Sequence, residues 1–139
     1  MKAPAYSTNL GLFVLRIGIG SMFILHGLPK LMGGTAAWEQ VAQHGLPFLP
    51  AGNISIAFGL AAAIAEFGGG ILLILGCYHR IVCSALMGTM AVAFSTKLGA
   101  VTGYQNFALE AGWPLELLIV FIALFLTGPG RWRIGAGKS

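Results

Sequence analysis

Four runs of about twenty predominantly apolar residues divide this 139-residue chain, and each contains an ionisable side chain. That length is what an α-helix needs to cross the hydrocarbon core of a bilayer. The runs are continuous and lack the period-two alternation of half-buried strands. A membrane barrel would need about eight such alternating segments. The reading is therefore all-α, a four-helix transmembrane bundle in a single domain. Its helices fall at about 8–28, 54–77, 81–98 and 107–127.

Composition supports a lipid solvent. Hydrophobic residues make up 57% of the chain and charged residues only 9%, with no aspartate, where a soluble domain carries roughly 25% charge. The net charge of +4 does not point to nucleic acid, because the basic residues are scattered and form no stripe. Cys77 and Cys83 form no CxxC and lack the companions of a zinc site, so no metal centre is expected. The first apolar run, broken by Arg16 and followed by no clear small-residue cleavage site, reads as a membrane helix rather than a leader.

The connections differ in kind. The first is long and carries Ala-Ala-Trp-Glu-Gln-Val-Ala-Gln-His at 36–44, read as a short interfacial helix anchored by Trp38. The second, Tyr78-His79-Arg80, is tight. The third, 99–106, is polar and glycine-rich. Gly-Pro-Gly at 128–130 ends the fourth helix. With four spans, Lys2, Arg80, Arg131, Arg133 and Lys138 share one side, against Lys30 and Lys97 on the other. The basic excess places both termini in the cytoplasm. Both cysteines then flank a cytoplasmic turn and stay reduced, which argues against a disulfide-generating enzyme.

Counting from the expected helix ends at 1.5 Å per residue, Arg16, Glu66 and Glu116 lie at depths of roughly 12, 16 and 16 Å. One layer near the bilayer centre would hold all three. A permanent guanidinium there requires a partner, and Glu66 is the expected one. It is flanked by small residues that let a helix come close. Glu116 would share Arg16 or carry a proton. Such a layer can handle protons, or it can simply hold helices together. A second group, His26, Lys30, Lys97, Tyr104 and Glu110, falls on the opposite side and suggests the mouth of a ligand cavity; snorkelling at the interface is the competing reading. Glycine-rich helix faces permit a homo-oligomer.

The segments LRIGIGSMFILHGLPKL (15–31), AEFGGGILLILGCYHR (65–80) and LTGPGRWRIG (126–135) together resemble the DoxX family of small bacterial membrane proteins. Arg16, His26, Gly27, Lys30, Glu66, Gly68, Gly69 and Glu116 match its pattern. The tail departs from it, continuing as Arg-Trp-Arg-Ile-Gly without the family's aspartate. The resemblance implies a four-helix bundle in the bacterial inner membrane and an association with redox processes. It also implies a quinone as ligand and soluble or membrane redox proteins as partners. No haem ligand pair and no flavin or nucleotide motif is evident in the sequence, so electron transfer would fall to a partner. A non-catalytic scaffold and a small-molecule transporter are the alternatives.

Overall fold

The computed structural model describes residues 5–134. Lys2, Lys138 and Gly135 of the closing segment lie outside the described residues. Helix α1 spans Ala5–Met32 and α2 Gly34–Gly45. Helices α3 (Asn53–Leu75) and α4 (His79–Leu98) follow. A single turn α5 (Tyr104–Phe107), a π-helical turn (Ala108–Gly112) and α6 (Trp113–Thr127) then run end to end. Four helices are long and apolar enough to cross a membrane: α1, α3, α4 and the continuous span Tyr104–Thr127. No strand occurs among the described residues.

Two prolines sit inside helical segments, and the first lies beyond the helix end expected at residue 28. Pro29 lies within α1, which continues to Met32 and so carries Lys30 on the helix rather than in a loop. Pro114 lies in the first turn of α6. It has no N–H to give to the carbonyl of Glu110, and the preceding turn takes the wider π form. Neighbouring helices make such interruptions tolerable in membrane segments.

The seam between α1 and α3 sets the register of the bundle. A Cβ on Gly27 would overlap the backbone of Phe67, and one on Gly20 would come within 2.7 Å of the Gly70 carbonyl oxygen. Backbones this close are possible only where side chains are absent. Residue 27 is thereby level with residue 67. Arg16, further down α1, is level with the last turn of α3. Helix α1 is about 42 Å long and α3 about 35 Å at 1.5 Å per residue, so α1 overhangs α3 at the end where α1 begins and α3 stops.

Helix α4 returns beside α3 after a turn in which Gly76 takes positive φ. The amides of Gly76 and Cys77 close on the carbonyls of Leu73 and Leu72, a Schellman-type stop. Phe23, Leu73, Val82, Cys83, Leu86, Met90, Phe121 and Leu124 form the core. Phe23 of α1 meets Phe121 of α6 edge-on at 5.1 Å between centroids. Helix α2 packs on α3, its Trp38 carbonyl seated where a Cβ on Gly59 would stand.

Candidate functional site

The expected Arg16–Glu66 ion pair does not form. Arg16 is 1% exposed, and its guanidinium donates to four backbone carbonyls. Nε reaches Leu73 O at 3.0 Å. One terminal nitrogen reaches Ile74 O at 2.8 Å and Trp132 O at 2.7 Å, and the other bonds Pro129 O. Arg16 thus caps the C-terminus of α3 and ties down the segment after α6. Cations suit helix C-termini because the last carbonyls lack amide partners, and a forked planar donor suits several acceptors at once. The tail is held further by Arg131 N to Asn9 Oδ1 at 2.8 Å and Ile134 N to Leu75 O at 2.9 Å. Trp132 stands edge-on to Tyr6 and Phe13. The error in the depth count lies in the overhang of α1, which lowers Arg16 by about two turns relative to Glu66.

Glu66 has a different partner. Both carboxylate oxygens lie 2.6 Å from Lys30 Nζ, and Glu66 is 4% exposed. Lys30 reaches it because α1 runs through Pro29. The Lys30 carbonyl in turn accepts the Trp38 indole N–H at 2.8 Å. Glu116 joins neither Arg16 nor Glu66: it is exposed on the outer face of α6.

The Lys30–Glu66 pair lies in the wall of a cavity of about 670 Å³ between α2, α3 and α4. Its remaining wall is mostly small and apolar: Ala61, Ala62 and Ala65 from α3, Ala85, Gly88 and Val92 from α4, and Ala42, Gly45 and Leu46 on the α2 side. Thr89, Thr96, Lys97, Gln40, His44 and Trp113 supply the other polar atoms. The two threonine hydroxyls donate back to Leu86 O and Val92 O, leaving their oxygens as acceptors. Ala61, Ala85 and Gly88 are also exposed, so the cavity opens sideways between α3 and α4.

Of the residues expected at a cavity mouth, Lys30 and Lys97 line this one. Lys97 pairs with Glu110 of the π turn at 3.1 Å. His26 and Tyr104 are exposed and lie off it. The small residues beside Glu66 on α3 were expected to admit a neighbouring helix and instead help make the room, and those of α4 were not singled out by sequence. Their signal is alanine and glycine where leucine would fill a core. Buried His79 was hidden in an apparent loop; its Nε2–H donates to Leu124 O at 2.9 Å, with Cys83 Sγ 3.7 Å away.

The sequence matches the DoxX family over residues 11–99. The chain belongs to the DoxX family. It is a multi-pass membrane protein of that family, and the matched region holds Arg16, Lys30, Glu66 and nearly all of the cavity wall. Among curated proteins and among solved structures, none matches the chain.

Proposed function

We propose that this protein is an integral subunit of a quinone-linked redox system in a bacterial inner membrane, and that the α2–α3–α4 cavity holds its lipid-soluble ligand. The observation that carries the reading is buried Glu66 paired with part-buried Lys30 in the wall of a roomy, mostly apolar cavity. The volume falls within the range of small-molecule pockets, which pair apolar walls with a few placed polar groups.

The chemistry of the wall selects a neutral ligand. Lys30 and Glu66 cancel in charge, as do Lys97 and Glu110. An ammonium has three donors, and the carboxylate engages at most two of them. Lys30 therefore keeps an N–H for a carbonyl oxygen, while Glu66 beside it accepts from a hydroxyl. A quinone and its quinol present those two groups. When bound, a quinone supplies the capacity to carry two electrons and two protons. The part of Lys30 and Glu66 is to orient the oxygen-bearing head and to hold a proton beside it. The lateral opening admits a ligand from the acyl chains. Electrons would pass through a partner protein. The basic residues of the sequence on the side of Arg80, Arg131 and Arg133 favour the cytoplasm for that end and the outer half of the bilayer for the cavity.

The test is binding. Titrating a short-tailed benzoquinone into protein in nanodiscs should quench Trp113, which lines the cavity, and Glu66→Gln should weaken the effect about tenfold. No quenching beyond that of a peptide control in the same lipid would sink the proposal. A scaffold role is favoured by one observation, the engagement of Arg16 by four backbone carbonyls that hold the fold. It predicts that filling the cavity leaves cellular redox behaviour unchanged.

A further inference from the structure

Glu116 is a carboxylate about half-way along the 24-residue span Tyr104–Thr127, exposed on the surface of the bundle. Ionisable side chains inside membrane spans almost always face a protein interior or a water-filled cavity. Here the chain itself offers Glu116 neither an ion pair nor a hydrogen bond among the described residues. His26 on α1 is in the same position: exposed, unpaired and within a membrane span.

The two groups share a depth. His79 of α4 bonds the Leu124 carbonyl of α6, which makes those residues level. Moving up about 12 Å along each helix at 1.5 Å per residue brings α6 to Glu116 and α4 to Met87. The neighbouring Leu86 packs on Gly69 of α3, and Gly27 of α1 sits against Phe67. His26 and Glu116 therefore agree in height to within about one helical turn. They also lie on adjoining helices, since Phe23 of α1 meets Phe121 of α6.

We propose that the face formed by α1 and α6 is an interface between two copies of this chain, with His26 of each copy hydrogen-bonded to Glu116 of the other. Copies inserted the same way are related by an axis along the membrane normal, and rotation about that axis preserves depth. Only groups of equal height can then meet across a two-fold interface, where each contact occurs twice. An imidazole donor and a carboxylate acceptor at one height satisfy that condition. Met22, one turn from His26, and Ile119, one turn from Glu116, are apolar and exposed, so the paired groups would be enclosed by packed side chains instead of acyl chains.

The test is association in liposomes, read by energy transfer between donor- and acceptor-labelled copies diluted with lipid. The wild-type chain should associate as a dimer. Glu116→Gln and His26→Leu should each weaken association about tenfold. His26→Glu and Glu116→His should each abolish it singly and restore it together. A photo-crosslinking residue at Ile119 of the otherwise unaltered chain should give an adduct of twice the chain mass, which keeps the test informative if a variant misfolds. A wild-type chain that stays monomeric, association that ignores all four substitutions, or an Ile119 adduct with a different protein would each overturn the proposal.

Discussion

Replacing Arg16 with methionine removes the donor for four carbonyls at the end of the bundle where α3 stops and the segment after α6 packs. The Leu73 carbonyl keeps a second partner in the Gly76 amide. Those of Ile74, Pro129 and Trp132 have no other among the described residues. A buried acceptor left unpaired costs about 1–3 kcal/mol. Water reaches the tail more easily than it reaches α3, so the lower part of the range applies to Pro129 and Trp132. The sum comes to about 3–5 kcal/mol. Arg16→Lys should lose about half of that, because one compact ammonium cannot span the four acceptors that the fork reaches. The loss should be visible as lower resistance to SDS unfolding in mild detergent. It should also appear as faster trypsin cleavage after Arg131 and Arg133, whose backbone is otherwise tethered by Asn9 and Arg16. Combining Arg16→Met with Glu66→Gln should give additive losses, with coupling below about 0.5 kcal/mol. Tail protection unchanged in Arg16→Met, or strong coupling between the two positions, would refute the assignment of Arg16 to the carbonyls.

Gly27→Ala should destabilise by about 1–3 kcal/mol in the same unfolding assay, since its Cβ meets backbone that cannot move without parting α1 from α3. Ala62→Phe should fill the cavity and abolish benzoquinone binding while leaving resistance to SDS within about 1 kcal/mol of the wild type, because the added ring enters open space. Lys97→Met should change stability by less than about 1 kcal/mol, as expected for a half-exposed ion pair. Its effect is best read beside Lys30→Met, which leaves Glu66 buried without its cation and should cost several times more.

The fold was legible because membrane helices are written in length and hydropathy alone. Four apolar runs and the stops between them suffice to place four spans. What sequence could not supply was the relative height of those spans. Depth counted from helix ends assumes equal helices with aligned ends. Helix α1 breaks that assumption by running through Pro29 and overhanging α3, which separates Arg16 from Glu66 and gives Glu66 to Lys30. The clue was present in Gly20 and Gly27, but which backbone they approach is a tertiary fact. Glu116 was misplaced for a related reason: a count along α6 gives its height and says nothing of the side of the helix on which it lies. The cavity was half visible. Lys30 and Lys97 are recognisable as candidates from sequence, whereas the alanines and glycine lining the space look like a surface for close helix packing.

The most direct test of the account is the affinity of the cavity for a quinone. With Trp38 and Trp132 replaced by phenylalanine, Trp113 alone reports on the cavity wall. The account predicts saturable quenching by a short-tailed benzoquinone in nanodiscs, weakened about tenfold by Glu66→Gln and lost in Ala62→Phe. Quenching that is linear in ligand, or equal in all three proteins, would mean partitioning into lipid alone and would contradict it.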